Sequence, residues 1–346
     1  EIRIMKMNRR QFLYGTTAVA IPVLAGCDKD DEPIISIDES YPVGTFGATS
    51  TAEEVTLGLD LTGKTAIVTG CNSGLGLETM RVLAMRGAHV IGTGRNIEKA
   101  RKACSSVPGK TTPVALELSN LDSIVECADT ITKMDYPIDI LVCNAGINTF
   151  GELDLVNGIE RIFAVNHIGH FVLVNRLMPL LKKAKESRIV HVSSKSAYVQ
   201  APSVGIDFDN LRGEGEFDYW TAYGRSKLAN ALFSLELASR LEGSNITSNA
   251  LHPGLVQTNI ARNAPMMLRK AFDWFGNLIA KTPEQGAATQ VYVSTNPSLK
   301  GVSGAFFEDC NAVIVSGNHF LFDKPMAERL WSTSEEMAQG YLIDWE

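Results

Sequence analysis

Thr69-Gly70-Cys71-Asn72-Ser73-Gly74-Leu75-Gly76 follows the apolar run Thr65-Ala66-Ile67-Val68 and opens an amphipathic stretch from Leu75 to Met85. That order reads as strand, glycine turn, helix. Glycine reaches backbone angles closed to other residues and lets the main chain come close to a ligand. Amides in the first turn of the following helix point at that ligand, and the helix dipole favours an anion such as a pyrophosphate. A glycine triplet alone is a common turn; between a strand and a helix it predicts a dinucleotide site.

From Leu57 onward, β-branched runs alternate with helical patterns. Strands are expected at Thr65–Thr69, His89–Thr93, Thr112–Leu118, Ile138–Cys143, Arg188–Ser193, Asn245–Leu251 and Gly304–Phe307. Helices are expected near Leu75–Arg86, Ile97–Cys104, Leu121–Lys133, Asn157–Lys183, Tyr219–Leu241 and Pro283–Ser294. Such alternation implies right-handed crossovers and a parallel sheet covered on both faces. The fold expected is therefore α/β: one Rossmann-type, doubly wound domain over 58–346, with about seven parallel strands flanked by helices. Ligands in this architecture bind beyond the carboxyl ends of the strands.

The 346 residues carry a net charge of −7. Without Glu1 to Gly26 the balance is 28 basic against 38 acidic residues, or −10. An acidic body excludes a phosphate-tracking nucleic-acid role. Cys71, Cys104, Cys127, Cys143 and Cys310 show neither paired nor metal-ligand spacing and read as small buried side chains.

The amino terminus reads as an address. Arg9-Arg10-Gln11-Phe12-Leu13 precedes a mild apolar stretch ending in Leu24-Ala25-Gly26-Cys27. The arginine pair resembles a twin-arginine export signal, and the four final residues resemble a bacterial lipobox whose cysteine is acylated. Residues 1–27 are thus expected to be a signal ending at lipidated Cys27, and 28–57 a flexible tether. The protein would face the periplasm or cell exterior on a membrane. If the arginine pair is fortuitous, it is cytoplasmic.

Tyr223-Gly224-Arg225-Ser226-Lys227 lies on a helical stretch, so the phenol and the ammonium share a face. A nearby cation favours phenolate, which would make Tyr223 usable as an acid and a base. The spacing is common by itself, but its company is specific. Ser193-Ser194 ends one expected strand and Cys143-Asn144-Ala145-Gly146 ends another. Asn166 lies in a helical run, and His252-Pro253-Gly254 through Thr258 follows a third strand.

This ordered set resembles the short-chain dehydrogenase/reductase family from Leu61 to about Phe307. The resemblance implies that Tyr223 is the general acid in reduction, while Lys227 holds the nicotinamide ribose and lowers the Tyr223 pKa. It implies that Ser194 binds the substrate carbonyl oxygen and that Asn166 positions a water leading to Lys227. Gly70, Gly74 and Gly76 would line the pyrophosphate, Asn144 and Gly146 the central floor, and Thr258 the nicotinamide amide. Further cofactor contacts are implied at Asn72, Ser73, Leu75, Leu118, Ala145, Pro253 and Gly254. Where NAD enzymes place an acid after the second strand, this chain has Gly94 followed by Arg95. A guanidinium suits a 2′-phosphate, so NADP(H) is expected, with NAD(H) as the alternative.

Between Ser194 and Tyr223, residues 197–220 form an insertion longer than most of the family carries. With Lys281-Thr282-Pro283-Glu284 and Ser303-Gly304-Ala305-Phe306, it resembles the retinol dehydrogenase and WW-domain oxidoreductase branch. That branch implies a small apolar alcohol or carbonyl as substrate. Asp207-Phe208-Asp209-Asn210-Leu211 reads as a capped loop rather than a metal site. Met266 to Ile279 is apolar nearly all round, and fits a substrate lid, a lipid-dipping surface, or a helix buried by the domain or by a homodimer partner. His167, His170 and His252 are expected to pack or to hydrogen-bond, without chemistry. A carbon–carbon double-bond reductase and a non-catalytic, membrane-tethered cofactor-binding protein remain the alternative functions.

Overall fold

Residues 65–69, 140–143 and 187–192 are buried along their whole length, which β-branched and apolar side chains permit and which places helices on both faces of the sheet. The structure, a computed structural model, describes residues 33–256, 280–317 and 319–345. In chain order the strands are β1 (Ile35–Ile37), β2 (Thr65–Thr69), β3 (His89–Gly94), β4 (Thr111–Ala115), β5 (Ile140–Cys143), β6 (Leu155–Val156), β7 (Ile159–Glu160), β8 (Ser187–Val192), β9 (Ile246–His252), β10 (Phe306–Glu308) and β11 (Asn311–Val315). The main sheet runs β1-β11-β10-β9-β8-β5-β2-β3-β4. The strands from β4 to β10 are parallel. They are the seven expected from sequence.

Two antiparallel strands extend that set. β11 returns against β10, and β1 pairs with β11 through Ile35–Val315 and Ile37–Val313. This corrects the expected tether, which is docked over its described part. Ser316 donates its amide to Ile34 at 2.9 Å, and Ala52 and Val55 are buried against the domain. Apolar side chains in a segment of mixed composition found a place in the core and on a sheet edge.

On one face of the sheet lie α3 (Leu121–Met134), α5 (Gly169–Lys183), α7 (Tyr219–Arg240) and the helix Lys324–Met337, the short α4 (Arg161–Phe163) leading into α5 and the short α6 (Ser196–Val199) following β8. On the other lie α1 (Gly74–Met85), α2 (Ile97–Ser106) and the helix Ala288–Thr295. The helix expected from Asn157 starts instead at Arg161, because β6 and β7 form a small hairpin before it. It then passes through a π turn at Ala164–Ile168 before α5. Among the described residues no helix is long and apolar enough to cross a membrane.

Connections run outward from β2 in one direction to β3 and β4, and from β5 in the other to β8, β9 and β10. The crevice where the order reverses opens beyond the carboxyl ends of β2 and β5. Gly70 and Asn144 stand at that place.

Candidate active site

The glycine turn has the geometry its sequence requires. Gly70 and Gly74 adopt φ of +71° and +56°, a region other residues rarely enter. A Cβ on Gly76 would lie 2.3 Å from the Gly70 carbonyl oxygen and 2.6 Å from Asn144 Nδ2. The turn therefore folds onto the start of α1 with no space for a side chain. Ser73 caps α1 in an extended conformation and its hydroxyl bonds none of the first-turn amides. Those first-turn amides could hold an anionic group such as a pyrophosphate.

The floor is fastened from below. Asn144 Nδ2 donates to the Thr69 carbonyl at 2.8 Å, and the amides of Asn144 and Ala145 both donate to Thr69 Oγ1 at 2.9 Å. Thr69 Oγ1 also lies 3.0 Å from His170 Nε2, and His170 Nδ1 lies 3.0 Å from the Asn166 carbonyl. A carbonyl only accepts, so Nδ1 carries the proton and Nε2 accepts the Thr69 hydroxyl. Burial holds His170 down to about 4, so the ring is neutral. His170, expected to pack or to hydrogen-bond, does the latter and links the nucleotide floor to Asn166.

At the adenosine end, Arg95 is exposed and makes no ion pair among the described residues. Asn96 beside it caps α2 by accepting the Lys99 amide at 2.9 Å. Asn72 Oδ1 lies 3.4 Å from where a Gly94 Cβ would stand, so the turn and the β3 end meet. Leu118 is buried, and its carbonyl faces Gly169, where a Cβ would come within 2.7 Å.

Asn166, Ser194, Tyr223 and Lys227 come from three segments: the turn before α5, the end of β8, and α7, which carries both Tyr223 and Lys227. Ser193 Oγ, at the end of β8, donates to the Lys227 carbonyl at 2.6 Å and ties α7 to the strand. Lys227 Nζ donates to the Val192 carbonyl at 3.0 Å and lies 5.7 Å from the Tyr223 ring centroid. Ser194 Oγ donates to Ser196 Oγ at 3.2 Å, and the Ser194 side chain is near enough to the Tyr223 hydroxyl to favour its phenolate. Asn166 Oδ1 accepts the Ile147 amide at 2.8 Å, while its Nδ2 donates to the Ile147 carbonyl at 2.9 Å and to Ser226 Oγ at 3.0 Å. Gly146 lies between, its missing Cβ being 3.3 Å from Asn166 Oδ1 and 3.4 Å from Lys227 Nζ.

The electrostatics correct one expectation. The resemblance implied a Tyr223 pKa lowered by Lys227, whereas burial pushes it up to about 12, only partly offset by the nearby Ser194 side chain. Burial also lowers Lys227 to about 8. Both groups are desolvated, which penalises phenolate and ammonium alike. At neutral pH Tyr223 is a phenol, ready to donate.

The insertion leans on the catalytic helix. Arg225 Nη1 donates to the Asn210 carbonyl at 2.7 Å and its guanidinium lies 3.7 Å from the Glu160 carboxylate, with both side chains buried. A Cβ on Gly224 would lie 2.4 Å from the Gln200 carbonyl carbon, so only glycine admits the insertion here. Phe208–Asn210 is a short 3-10 turn, and no group of three metal-ligating side chains occurs among the described residues. Phe150, Tyr219 and Trp220 stack at 5.1–5.8 Å between centroids. Tyr219 stands one helical turn before Tyr223, which gives this end of the site an apolar wall. Pro253 is buried and Gly254 has φ of +90° beside Lys281. Arg9, Arg10, Cys27, Thr258 and the Met266 to Ile279 stretch lie outside the described residues.

The family signature described as short chain dehydrogenase matches residues 64–206. The chain is 40% identical over 310 residues to Short-chain dehydrogenase TIC 32 B, chloroplastic, from Brassica napus, covering 85% of this chain and 95% of that protein. It is 38% identical over 295 residues to human Retinol dehydrogenase 14, covering 80% and 86% respectively. Among solved structures, the Pseudomonas aeruginosa RhlG/NADP active-site complex superposes with a TM-score of 0.57 at 25% identity, covering 72% of this chain and 96% of that one.

Proposed function

The chain belongs to the short-chain dehydrogenase/reductase family of NAD(P)-binding oxidoreductases, and from that premise we propose that it interconverts an apolar alcohol and its aldehyde or ketone using NADP(H). The observation that carries this reading is the buried Lys227 ammonium 5.7 Å from the Tyr223 ring centroid, on a helix that Ser193 ties to the strand end carrying Ser194.

NADP(H) supplies the hydride when bound. The amides after Ser73 would hold its pyrophosphate, and the Arg95 guanidinium would pair with its 2′-phosphate. Ser194 and Tyr223 present two hydroxyls to the substrate oxygen. In reduction Tyr223 gives its phenolic proton to that oxygen, and in oxidation it takes the proton back. Lys227 offers positive charge as the phenolate forms, and Asn166 keeps the Gly146-Ile147 segment beside it. The Phe150, Tyr219 and Trp220 wall favours an apolar substrate and sheds water.

The Arg9-Arg10 pair and the segment ending at Cys27 support export in the folded state and a lipid anchor on the membrane. Intact mass of protein extracted from membranes tests this through an acyl group on Cys27. The catalytic reading is tested with Tyr223→Phe. Carbonyl reduction should disappear while NADPH still quenches protein fluorescence. Turnover surviving in that variant would overturn the assignment.

A further inference from the structure

Gln290 lies in the helix Ala288–Thr295, across the sheet from α7 and its Tyr223, and is fully buried. Its carboxamide reaches the underside of the glycine turn. Nε2 donates to Thr79 Oγ1 in α1 and lies 3.4 Å from both the Leu75 carbonyl and Asn144 Oδ1. Leu75 stands in the first turn of α1, and Asn144 in the floor beneath it.

The direction of these bonds is fixed at their ends. The Thr69 carbonyl only accepts, so Asn144 turns Nδ2 to it and leaves Oδ1 toward Gln290. The Leu75 carbonyl also only accepts, so Gln290 turns Nε2 the same way. Its Oε1 is then buried with no hydrogen-bond partner. An orphaned buried acceptor is costly, and leucine or methionine would fill this space without one. What the carboxamide adds is a directed tie between the floor and α1.

The helix that carries Gln290 is itself held firmly. One turn earlier, a Cβ on Gly286 would lie 2.7 Å from Leu75 Cδ2 and 2.6 Å from Val256 Cγ2. The helix thus touches the glycine turn on one side and the segment leaving β9 on the other. From outside, the Ala52 amide donates to the Glu284 carbonyl at 2.8 Å, and Phe46 packs edge-on against Tyr292 at 5.8 Å between centroids.

We propose that Gln290 is a positioning residue for the nucleotide. Its Nε2 keeps the Asn144 carboxamide and the first turn of α1 at one spacing, so that the amides of that turn converge on a pyrophosphate. This rests on the cofactor reading above. Tyr223 and Lys227 lie on the other face of the sheet, so losing the tie should lower nucleotide affinity and spare turnover once the site is filled.

The test measures NADPH affinity by fluorescence titration, and steady-state kinetics, in full-length variants whose circular dichroism matches the parent. In Gln290→Met, Kd and KM for NADPH should rise about tenfold, with kcat at saturating NADPH within about twofold of the parent. Thr79 gives a second reading should that variant not fold. Thr79→Val keeps the side-chain volume and removes the hydroxyl that Gln290 bonds, whereas Thr79→Ser keeps the hydroxyl and removes a methyl group. The valine variant should raise Kd severalfold and the serine variant should leave it near the parent; simple packing would give the reverse order. That reverse order, or an unchanged Kd in folded Gln290→Met, would overturn the proposal. So would a kcat at saturation that falls as far as the affinity. Unaltered protein that does not bind NADPH would overturn the cofactor reading itself, and this inference with it.

Discussion

Asn166 and the backbone of Ile147 clasp each other through two hydrogen bonds, Oδ1 accepting the amide at 2.8 Å and Nδ2 donating to the carbonyl at 2.9 Å. The clasp joins the π turn before α5 to the segment leaving β5, and sets Gly146 against Lys227. Asn166→Ala leaves a main-chain donor and acceptor without their partner, at a cost of about 1–3 kcal/mol in stability. Because a displacement near 1 Å lowers a rate about 100-fold, kcat should fall further than KM changes. Urea unfolding and steady-state kinetics read the two effects. A variant with wild-type kcat would remove Asn166 from the positioning of the site.

The pH dependence follows from two desolvated groups. Tyr223, pushed up to about 12, stays protonated across the working range, whereas Lys227 loses its charge near 8. Carbonyl reduction should therefore be flat below that point and fall as pH rises through it. Lys227→Arg stays charged, so its rate should be lower and its falling limb displaced to higher pH. A wild-type profile level to pH ~9.5 would contradict the Lys227 assignment.

Arg95→Asp tests the nucleotide preference. Removing a guanidinium from a phosphate loses charge-assisted hydrogen bonds worth about 1.5–3 kcal/mol, roughly 10- to 150-fold in NADPH affinity. NADH affinity should hold or improve, since a carboxylate can accept from the 2′-hydroxyl. Equal losses for both nucleotides would indicate damage to α2 rather than lost recognition.

Much of this site is legible in sequence because its signals are local. The run Thr65 to Val68 before the glycine turn, and the four-residue spacing of Tyr223 and Lys227, each fix a strand end or a helix face without distant partners. What sequence did not show depends on contacts between distant positions. Ile35-Ser36-Ile37 is too short to read as a strand, and becomes one only against Val313 to Val315. The path from Thr69 through His170 to Asn166 joins a strand to a helix and has no local pattern. The Tyr223 pKa escaped for another reason. Charge proximity is visible in spacing, but desolvation depends on what the finished core lays over the ring.

Gly224→Ala addresses the insertion. Its methyl group would meet the Gln200 backbone at 2.4 Å, so α7 or the 197–220 segment must shift. The change lies beside Tyr223 but outside the nucleotide cradle. NADPH affinity should be kept, while KM for an apolar carbonyl rises and kcat falls. Loss of NADPH binding in a folded variant would count against this division of the site.

Buried histidines give the fold an acid limit. Burial lowers His167 and His191 to about 3 and His170 to about 4, from an ordinary 6.5. Between pH ~6.5 and those values, unfolded chains bind protons that the folded protein refuses. Unfolding takes up protons there, so this contribution is complete above pH ~6.5 and is lost as pH falls, by at most about 1.4 kcal/mol per pH unit for each ring. Burial raises Glu160 and Glu308, which acts in the opposite sense. A single histidine is therefore the cleaner test. His191 packs against Phe233 at 4.8 Å, and its Nε2 has no hydrogen-bond partner, so His191→Leu should fold. Urea midpoints between pH 7 and 4.5 should fall less steeply in that variant than in the parent. Parallel curves would show that His191 is protonated in the folded state as readily as in the unfolded one.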